Sequence, residues 1–432
     1  NVDGFIMDEK SEINLRLSAK KGLNGEIYVP VSKSYAHRIL IACALSDRPT
    51  LVKGRLIGED INATLECLSS LGVKCEQISE DETVIYPLDS IRIDRPTLNV
   101  GESGSTLRFM LPLAAALGVS ARFKGGGRLN KRPISDLIDS LKGHGALFDR
   151  EEIPFSVGGK LAPGNYVING EISSQYITGL LLSLPILGED SKITIQGKAV
   201  SAGYINITLD ILNQFGIYPQ KTLEGFIIKG NQRYISPGEI SIESDWSSAC
   251  FFAVAGALSG RIKVIGLNPQ SKQGDRIVMD LLEKAGGNVI VEKDGIVFSK
   301  GNLKGLKFSA KNCPDIVPIM SVLLARAEGN SIITETERLR LKESDRLSAI
   351  LEILRVFTID ADSKDDRLYI TGGQIKGGEL PGFNDHRMVM SEAIAIVGTQ
   401  EIVSIWGAQA INKSYPNFFS DFRTLGGTVE KF

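Results

Sequence analysis

The sequence predicts an α/β fold built from six copies of one βαβαββ unit, and three observations carry that prediction. A short polar cluster opens an apolar run six times: SYAHRILIACAL from Ser34, STLRFMLPLAAAL from Ser105, SQYITGLLLSL from Ser174, SSACFFAVAGAL from Ser247, DIVPIMSVLLA from Asp315 and DHRMVMSEAIAI from Asp385. These openings lie 71, 69, 73, 68 and 70 residues apart, a period that marks internal repetition. Each run is succeeded by an amphipathic segment at helical spacing: 61–73, 135–146, 205–217, 273–287, 342–357 and 415–427. Between the helices fall short β-like runs bounded by Gly, such as GEIYV, VIYPL, KITIQG, RIKVIG and SIITE.

Each element of the unit has a local reason. The first helix is expected to begin at its Ser or Asp, whose side-chain oxygen accepts from orphan N–H groups. The run beyond that cap is apolar on every side, so the helix is expected to be buried. The second helix is amphipathic, and in five copies it ends on Gly72, Gly145, Gly216, Gly286 or Gly426, which suits a left-handed residue after a helix. Thr358 stands at that place in the fifth copy and makes it irregular. Six units over 432 residues exceed what one core supports, so two domains of three units are expected, divided near 33 and near 244.

Composition narrows the class of function. Hydrophobic residues at 43% and charged residues at 23% are ordinary for a globular chain. A net charge of −2 argues against bulk attraction to nucleic acid or to an anionic membrane, while leaving room for a local basic site. Cys43, Cys67, Cys75, Cys250 and Cys313 show no metal spacing and read as reduced core thiols of a cytoplasmic protein. His37, His144 and His386 are dispersed, so no metal is expected. No apolar run reaches membrane length, and the start lacks the form of a secretory signal. Because the chain opens on Asn1, Met7 is expected to be the native start, and residues 1–6 carry no weight in the fold.

The chemistry sits at the helix openings, where free N–H groups and a partial positive charge favour anions. Lys33 and Ser34 open the first helix and Arg38 comes one turn on, adding a point charge and a forked donor. Gly101-Glu102-Ser103-Gly104-Ser105 lets a ligand approach the backbone closely. Lys124 to Pro133 is a Gly-rich turn with two Lys and two Arg, read as a mobile phosphate clamp. It lacks the order of a P-loop. Ser173, Ser174 and Gln175, then Ser201 and Tyr204, place consecutive hydroxyls at two further helix starts. Acids and bases gather in the second half: Asp315, Lys342 to Arg346, Asn384 to Arg387, and Lys413. Exposed ion pairs within Lys342 to Arg346 would explain that segment taken alone. Their recurrence at helix openings favours a site with anion clamps and acid/base groups.

With these residues in place, SKSYAHR, GESGSTLRF, GGGRLNKRPI, SSQYITGLLL, LKESDRL and FNDHRMVM together resemble the 3-phosphoshikimate 1-carboxyvinyltransferase family of enolpyruvyl transferases. The resemblance runs from about residue 15 to the C-terminus. It implies a two-domain inside-out α/β barrel, three βαβαββ repeats per domain, with helix N-termini facing an interdomain cleft that closes on substrate. The domains would be 33–244, and 1–32 joined to 245–432. It implies a monomer acting on two small molecules, phosphoenolpyruvate and shikimate 3-phosphate, with no cofactor, no metal, no nucleic acid and no membrane.

Residue by residue, the resemblance implies that Lys33 touches both substrates. Ser34, Arg38, Ser173, Ser174, Gln175, Ser201, Tyr204, Asp315 and Lys342 would hold shikimate 3-phosphate. Gly104, Arg128, Gln175, Arg346, Arg387 and Lys413 would hold phosphoenolpyruvate. Asp315 would accept the hydroxyl proton, Glu343 would protonate carbon 3, and His386 joins Lys33 among the catalytic groups. The chain departs from the family pattern at two places. Glu102-Ser103-Gly104-Ser105 stands where many members read Asn-Ala-Gly-Thr, and Arg338 stands for an Asn. The alternatives are a UDP-N-acetylglucosamine enolpyruvyl transferase, whose reactive loop Cys is missing from Gly125–Pro133, and a clamp-like or RNA-end-processing repeat protein. The last should show basic stripes and stacking aromatics.

Overall fold

The computed structural model describes residues 12–90, 94–197 and 201–432; residues 1–6, and the expected start at Met7, lie outside them. Among the described residues the strands form six four-stranded sheets, one for each expected copy. The copy that begins at Thr97 shows the plan. Strand Thr97–Asn99, helix Gly104–Leu117, strand Ala121–Lys124, helix Ser135–Lys142, and strands Ala146–Phe148 and Phe155–Gly159 come in that order. The first two strands pair in parallel, as the intervening helix requires. The last strand inserts antiparallel between the second and third.

Three copies complete their sheets with a strand from far along the chain. Leu23–Tyr28 precedes the first helix in sequence, yet it pairs in parallel with Gly260–Ile265 in the fourth copy. The sheet of the first copy takes Glu239–Ser241 instead, in parallel with Thr50–Lys53. The sheet of the last copy is closed by Leu15–Ser18, between Val403–Trp406 and Thr428–Lys431.

The chain divides into two compact units. One holds the residues up to Val29 with Trp246–Pro269 and Asp275–Phe432; the other holds Pro30–Asp245 with Gln270–Gly274. The last segment is not foreseen by the repeat pattern. It joins the second unit because Gln273 Nε2 donates to Glu243 Oε1 at 2.7 Å and to the Ser244 carbonyl at 2.9 Å.

Each unit has its own apolar core. In the second unit helices Lys33–Ala44, Gly104–Leu117 and Ser174–Ser183 are buried on nearly every side. In the first unit Trp246–Ser259, Val317–Ala325 and His386–Ala395 are buried in the same way. The sheets keep an exposed face, as the exposed–buried–exposed pattern of Thr97–Asn99 shows. Burying three apolar helices this tightly needs small residues at the contact. A Cβ on Gly179 would fall 2.3 Å from the Arg108 carbonyl oxygen, so only glycine lets those two helices touch.

The helix ends refine the sequence reading. Gly72, Gly145, Gly216, Gly286 and Gly426 all have positive φ, and so does Thr358 at 62°. Thr358 N–H donates to the Arg355 carbonyl and Ile359 N–H to the Leu354 carbonyl, the paired bonds that close a helix with a left-handed residue. The fifth copy therefore keeps the turn that its sequence had lost, with a β-branched residue under strain. Replacing exposed Thr358 by Gly is expected to stabilise the protein by about 0.5–1 kcal/mol, read from urea unfolding. The relief of roughly 1–2 kcal/mol of strain is partly offset by the greater freedom of glycine in the unfolded chain.

At the other end the caps are shifted. Ser103 accepts from Thr106 N–H and Ser173 from Gln175 N–H, so Ser105 and Ser174 lie in the first turn rather than capping it. Ser32, not Ser34, holds the cap position of the first helix. The fourth helix already starts at Trp246, and Asp315 lies in the 3-10 turn Pro314–Ile316. Asp385 alone caps as expected, accepting from Arg387 N–H at 3.0 Å. Only a residue with extended backbone can turn its oxygen back onto the helix, and that residue comes one or two places earlier.

Candidate active site

In each unit the first turns of several helices converge, and nearly every residue singled out from the sequence lies there. In the second unit Lys33 Nζ is 2.6 Å from Asp60 Oδ2, tying the first turn of Lys33–Ala44 to that of Glu59–Leu71. Gln175 Nε2 donates to Ser105 Oγ at 2.9 Å, joining two more helix starts. Arg38 is 2% exposed. It donates to Thr208 Oγ1 at 2.8 Å, Ser34 O at 2.5 Å, Thr178 Oγ1 at 3.2 Å and Tyr204 O at 3.3 Å. Its guanidinium thus holds three helices together, and burial lowers it only to about 10, so it stays charged. Ser201 stands at the N-cap position of helix Ala202–Gln214 with a left-handed backbone at φ 54°. Such strain is kept where a site needs it.

The Gly-rich turn brings further arginines to the same helix start. Arg128, expected to clamp a phosphate, sits at the cap of the 3-10 turn Leu129–Lys131. The arginines that lie on Gly104 are Arg108 and Arg132: a Cβ on Gly104 would fall 2.5 Å from Arg108 Nη1 and 2.6 Å from Arg132 Cζ. Arg108 also donates to the Gly104 carbonyl, to Gln175 Oε1 and to the Pro133 carbonyl. Glu102, the acid in place of Asn, packs on this loop; a Cβ on Gly127 would fall 2.4 Å from its carboxyl carbon. Arg338 donates to the Lys311 carbonyl at 3.4 Å, in the 3-10 segment Glu337–Leu341.

The first unit gathers acids around one arginine. Arg346 is fully buried. Its Nε donates to Asp385 Oδ2 at 2.8 Å, Nη1 to Asp315 Oδ1 at 2.7 Å, and Nη2 to Glu343 Oε2 at 2.6 Å and Asp385 Oδ1 at 3.2 Å. Exposed ion pairs are therefore the wrong picture for Lys342 to Arg346, and Asp345 pairs with Arg340 rather than Arg346. The helix begins at Arg346, capped by Asp345, so Lys342 and Glu343 stand before it.

The remaining cations surround the acids. Lys342 Nζ is 3.1 Å from Asp315 Oδ1, and Arg387 Nη2 is 3.7 Å from Asp315 Oδ2. Lys413 Nζ donates at 2.6 Å to the Asn384 carbonyl, which is aimed by two consecutive left-handed residues, Phe383 and Asn384. Burial alone would raise the Asp315 carboxyl, but Lys342, Arg387 and Arg346 outweigh it and hold the group well below the usual carboxylate range. Burial lowers Lys342. His386, expected among the catalytic groups, is 1% exposed and lies behind Asp385, with Nδ1 3.8 Å from Oδ1.

The sequence does not single out Asp60, and it names Arg108, Arg132 and Asp385 without a partner for any of them. All four hold the site in place. Glu392 had no signal at all. It is fully buried on helix His386–Ala395, and neither carboxyl oxygen has a partner among the described residues. Burial, then Asp385 and Glu352, push its carboxyl well above the usual range, so folding favours its protonated form. The folded state then binds a proton that the unfolded state releases. Stability is full below the unfolded value of about 4.3 and falls by about 1.4 kcal/mol per pH unit above it, until the folded value is passed. Glu392→Gln is expected to stabilise the protein more at pH 8 than at pH 5, read from the urea midpoints.

Among the described residues no cluster of three or more His, Cys, Asp or Glu could hold a metal ion, and no helix is long and apolar enough to cross a membrane.

Comparison with known proteins agrees over the whole chain. The model of the family described as EPSP synthase (3-phosphoshikimate 1-carboxyvinyltransferase) matches residues 17–422. A 3-phosphoshikimate 1-carboxyvinyltransferase of Clostridium novyi (strain NT) is 38% identical over 422 residues, covering 95% of this chain and 97% of that protein. One from Clostridioides difficile (strain 630) is 35% identical over 431 residues, with the same coverage. An EPSP synthase structure from Acinetobacter baumannii superposes with a TM-score of 0.83 at 25% identity, covering 98% of this chain and 100% of that one.

Proposed function

The chain belongs to the EPSP synthase (3-phosphoshikimate 1-carboxyvinyltransferase) family, and from that premise we propose which of its residues carry the reaction. The enzyme transfers the enolpyruvyl group of phosphoenolpyruvate to the 5-hydroxyl of shikimate 3-phosphate and releases phosphate. The hydroxyl adds to carbon 2 while carbon 3 takes a proton. The tetrahedral adduct then loses phosphate from carbon 2 and the proton from carbon 3, which restores the double bond. These steps need a proton donor, a proton acceptor and fixed positive charge on two phosphates and a carboxylate.

Glu343 donates to carbon 3 and takes the proton back in the elimination. The observation that carries this reading is the buried Arg346, which orders Glu343, Asp315 and Asp385 about one guanidinium. The Asp315–Lys342 pair accepts the hydroxyl proton. Asp315 held so low is a weak base alone, and Lys342, lowered by burial, shares the load. Ser173, Ser174 and Ser201 bind the phosphate of shikimate 3-phosphate at their helix starts. Ser34, Gln175 and Tyr204 line its ring, with Arg38 and Lys33 supplying charge. Lys33, Gly104 with Arg132, Gln175, Arg387 and Lys413 bind phosphoenolpyruvate. Arg128, in the same loop as Arg132, and Arg346, which also aligns the acids, add positive charge for phosphoenolpyruvate.

A cytoplasmic monomer acting on small molecules fits the chain, whose cysteines are all free and whose net charge is −2. Phosphate release from phosphoenolpyruvate, measured with shikimate 3-phosphate and with UDP-N-acetylglucosamine in separate reactions, tests the substrate. Release is expected only with the former. Release with the nucleotide sugar alone would keep the fold and change the acceptor.

A further inference from the structure

A buried hydrogen-bond chain in the second unit has no part in the proton transfers of the reaction. His37, Thr64 and Thr106 are fully buried and Ser103 is 1% exposed. His37 lies one turn beyond Lys33, and Thr64 one turn beyond Asp60, on helices Lys33–Ala44 and Glu59–Leu71. Thr106 is in the first turn of Gly104–Leu117. His37 Nδ1 is 2.7 Å from Thr64 Oγ1, Thr64 Oγ1 is 2.8 Å from Thr106 Oγ1, and Thr106 Oγ1 is 2.8 Å from Ser103 Oγ. Thr106 Oγ1 is also 3.3 Å from the Asp60 carbonyl oxygen, while the Asp60 carboxylate binds Lys33. The chain thus runs through three helix starts and returns to Lys33.

The chemistry of the partners sets its direction. A carbonyl can only accept, and Ser103 Oγ already accepts the Thr106 N–H as a cap. The single hydroxyl proton of Thr106 therefore points to one of these two. Thr64 then donates to Thr106, and His37 must donate from Nδ1 to Thr64. The ring is left with a bare Nε2, which is buried and has no partner among the described residues. Burial, with Lys33 and Arg38 nearby, keeps a second proton off the ring. The ring meets Phe109 edge-on, at 6.2 Å between centroids, and Arg38 lies 5.0 Å over the same phenyl ring, so the imidazole is braced in one orientation.

We propose that His37 is a positioning residue: a neutral Nδ1–H donor that, through Thr64 and Thr106, sets the Gly104 helix start and the Asp60–Lys33 pair to receive phosphoenolpyruvate. The inference rests on the assignment of Gly104 and Lys33 to that substrate.

The test combines kinetics of three variants with nitrogen NMR of the wild-type histidines. His37→Leu removes the donor, Thr106→Val breaks the chain at nearly constant shape, and His37→Asn returns an N–H near the place of Nδ1. His37→Leu and Thr106→Val are expected to raise KM for phosphoenolpyruvate by about tenfold or more, more than KM for shikimate 3-phosphate, and His37→Asn to recover most of it. The His37 ring is expected to show the Nδ1–H tautomer and no titration between about pH 5 and 8. Both KM values unchanged in Thr106→Val, with only a lower unfolding temperature, would reduce His37 to a core residue. A Nε2–H tautomer, or titration in that range, would overturn the proposal without any variant. Failure of the wild-type enzyme to release phosphate with shikimate 3-phosphate would instead strike the functional reading, and the NMR result would stand apart from it.

Discussion

Glu343→Gln is expected to lower kcat by about 10²–10⁴-fold with both KM values near those of the wild-type enzyme. The amide matches the carboxylate in shape, and its oxygen can still accept from Arg346 Nη2, which meets Glu343 Oε2 at 2.6 Å. What it lacks is a proton to give to carbon 3 and the basicity to take one back. Loss of turnover without loss of binding is the mark of a group acting only in the transition state. Steady-state kinetics with each substrate varied in turn measures it. An unchanged kcat would move the proton to another acid of the cluster, while a raised KM would make Glu343 a binding residue.

Arg346→Met is expected to destabilise the protein by about 3–5 kcal/mol. Methionine fills much of the volume but leaves Asp315, Glu343 and Asp385 without the cation they share. The effect should depend on pH with a defined sign. Burial would raise Asp315 and Asp385, yet their cations win, with Lys342 and Arg387 ahead of Arg346 at Asp315 and Arg346 foremost at Asp385. Both are held below the usual range. The stability they contribute is present above the unfolded value of about 3.9 and is lost as pH falls through the folded values. In the variant Asp385 loses its foremost cation and is left to burial, so it takes up a proton as pH falls and the uncompensated charge is relieved; the gap from wild type should therefore narrow on going from pH 7.5 to 4. Urea unfolding at the two values checks this. Arg346→Lys should rescue little, because one ammonium cannot meet three carboxylates with the geometry of a fork. A gap that is constant with pH would mean that packing, and not charge, sets the cost.

Much of this site can be read along the chain, because the features involved are local. A helix start is written in the polar residues that open an apolar run, and a helix end in the glycine that closes an amphipathic one. Lys33, Ser173, Ser174, Asp315, Glu343 and Lys413 stand out as candidates in that way. Other features depend on distant partners. Arg128 and Arg132 lie in one loop and are alike in type, and only the folded backbone shows that Arg132 lies against Gly104. Ser34 and Ser105 look like caps, but the cap depends on one extended residue, and this shifts the role to its neighbour. Glu392 sits among Ala and Ile at a spacing that also suits an exposed face, so nothing local marks it as buried. Thr358 is the opposite case: the sequence lost its glycine, and the Leu354 and Arg355 carbonyls still impose the left-handed turn.

By itself the sequence determined six repeats, their α/β composition, and the placing of anion-binding groups at helix openings, since each depends on contacts within a few residues. Tertiary structure alone decided which strand completes each sheet, as when Leu23–Tyr28 leaves the first copy to pair with Gly260–Ile265. It alone decided that Arg346 would be a buried hub rather than a surface charge, and that His37 would end a chain of hydroxyls. The reason is the same in each case. Strand pairing and the burial of charge are settled by partners that lie tens to hundreds of residues away, and a charge can be buried only where those partners already stand.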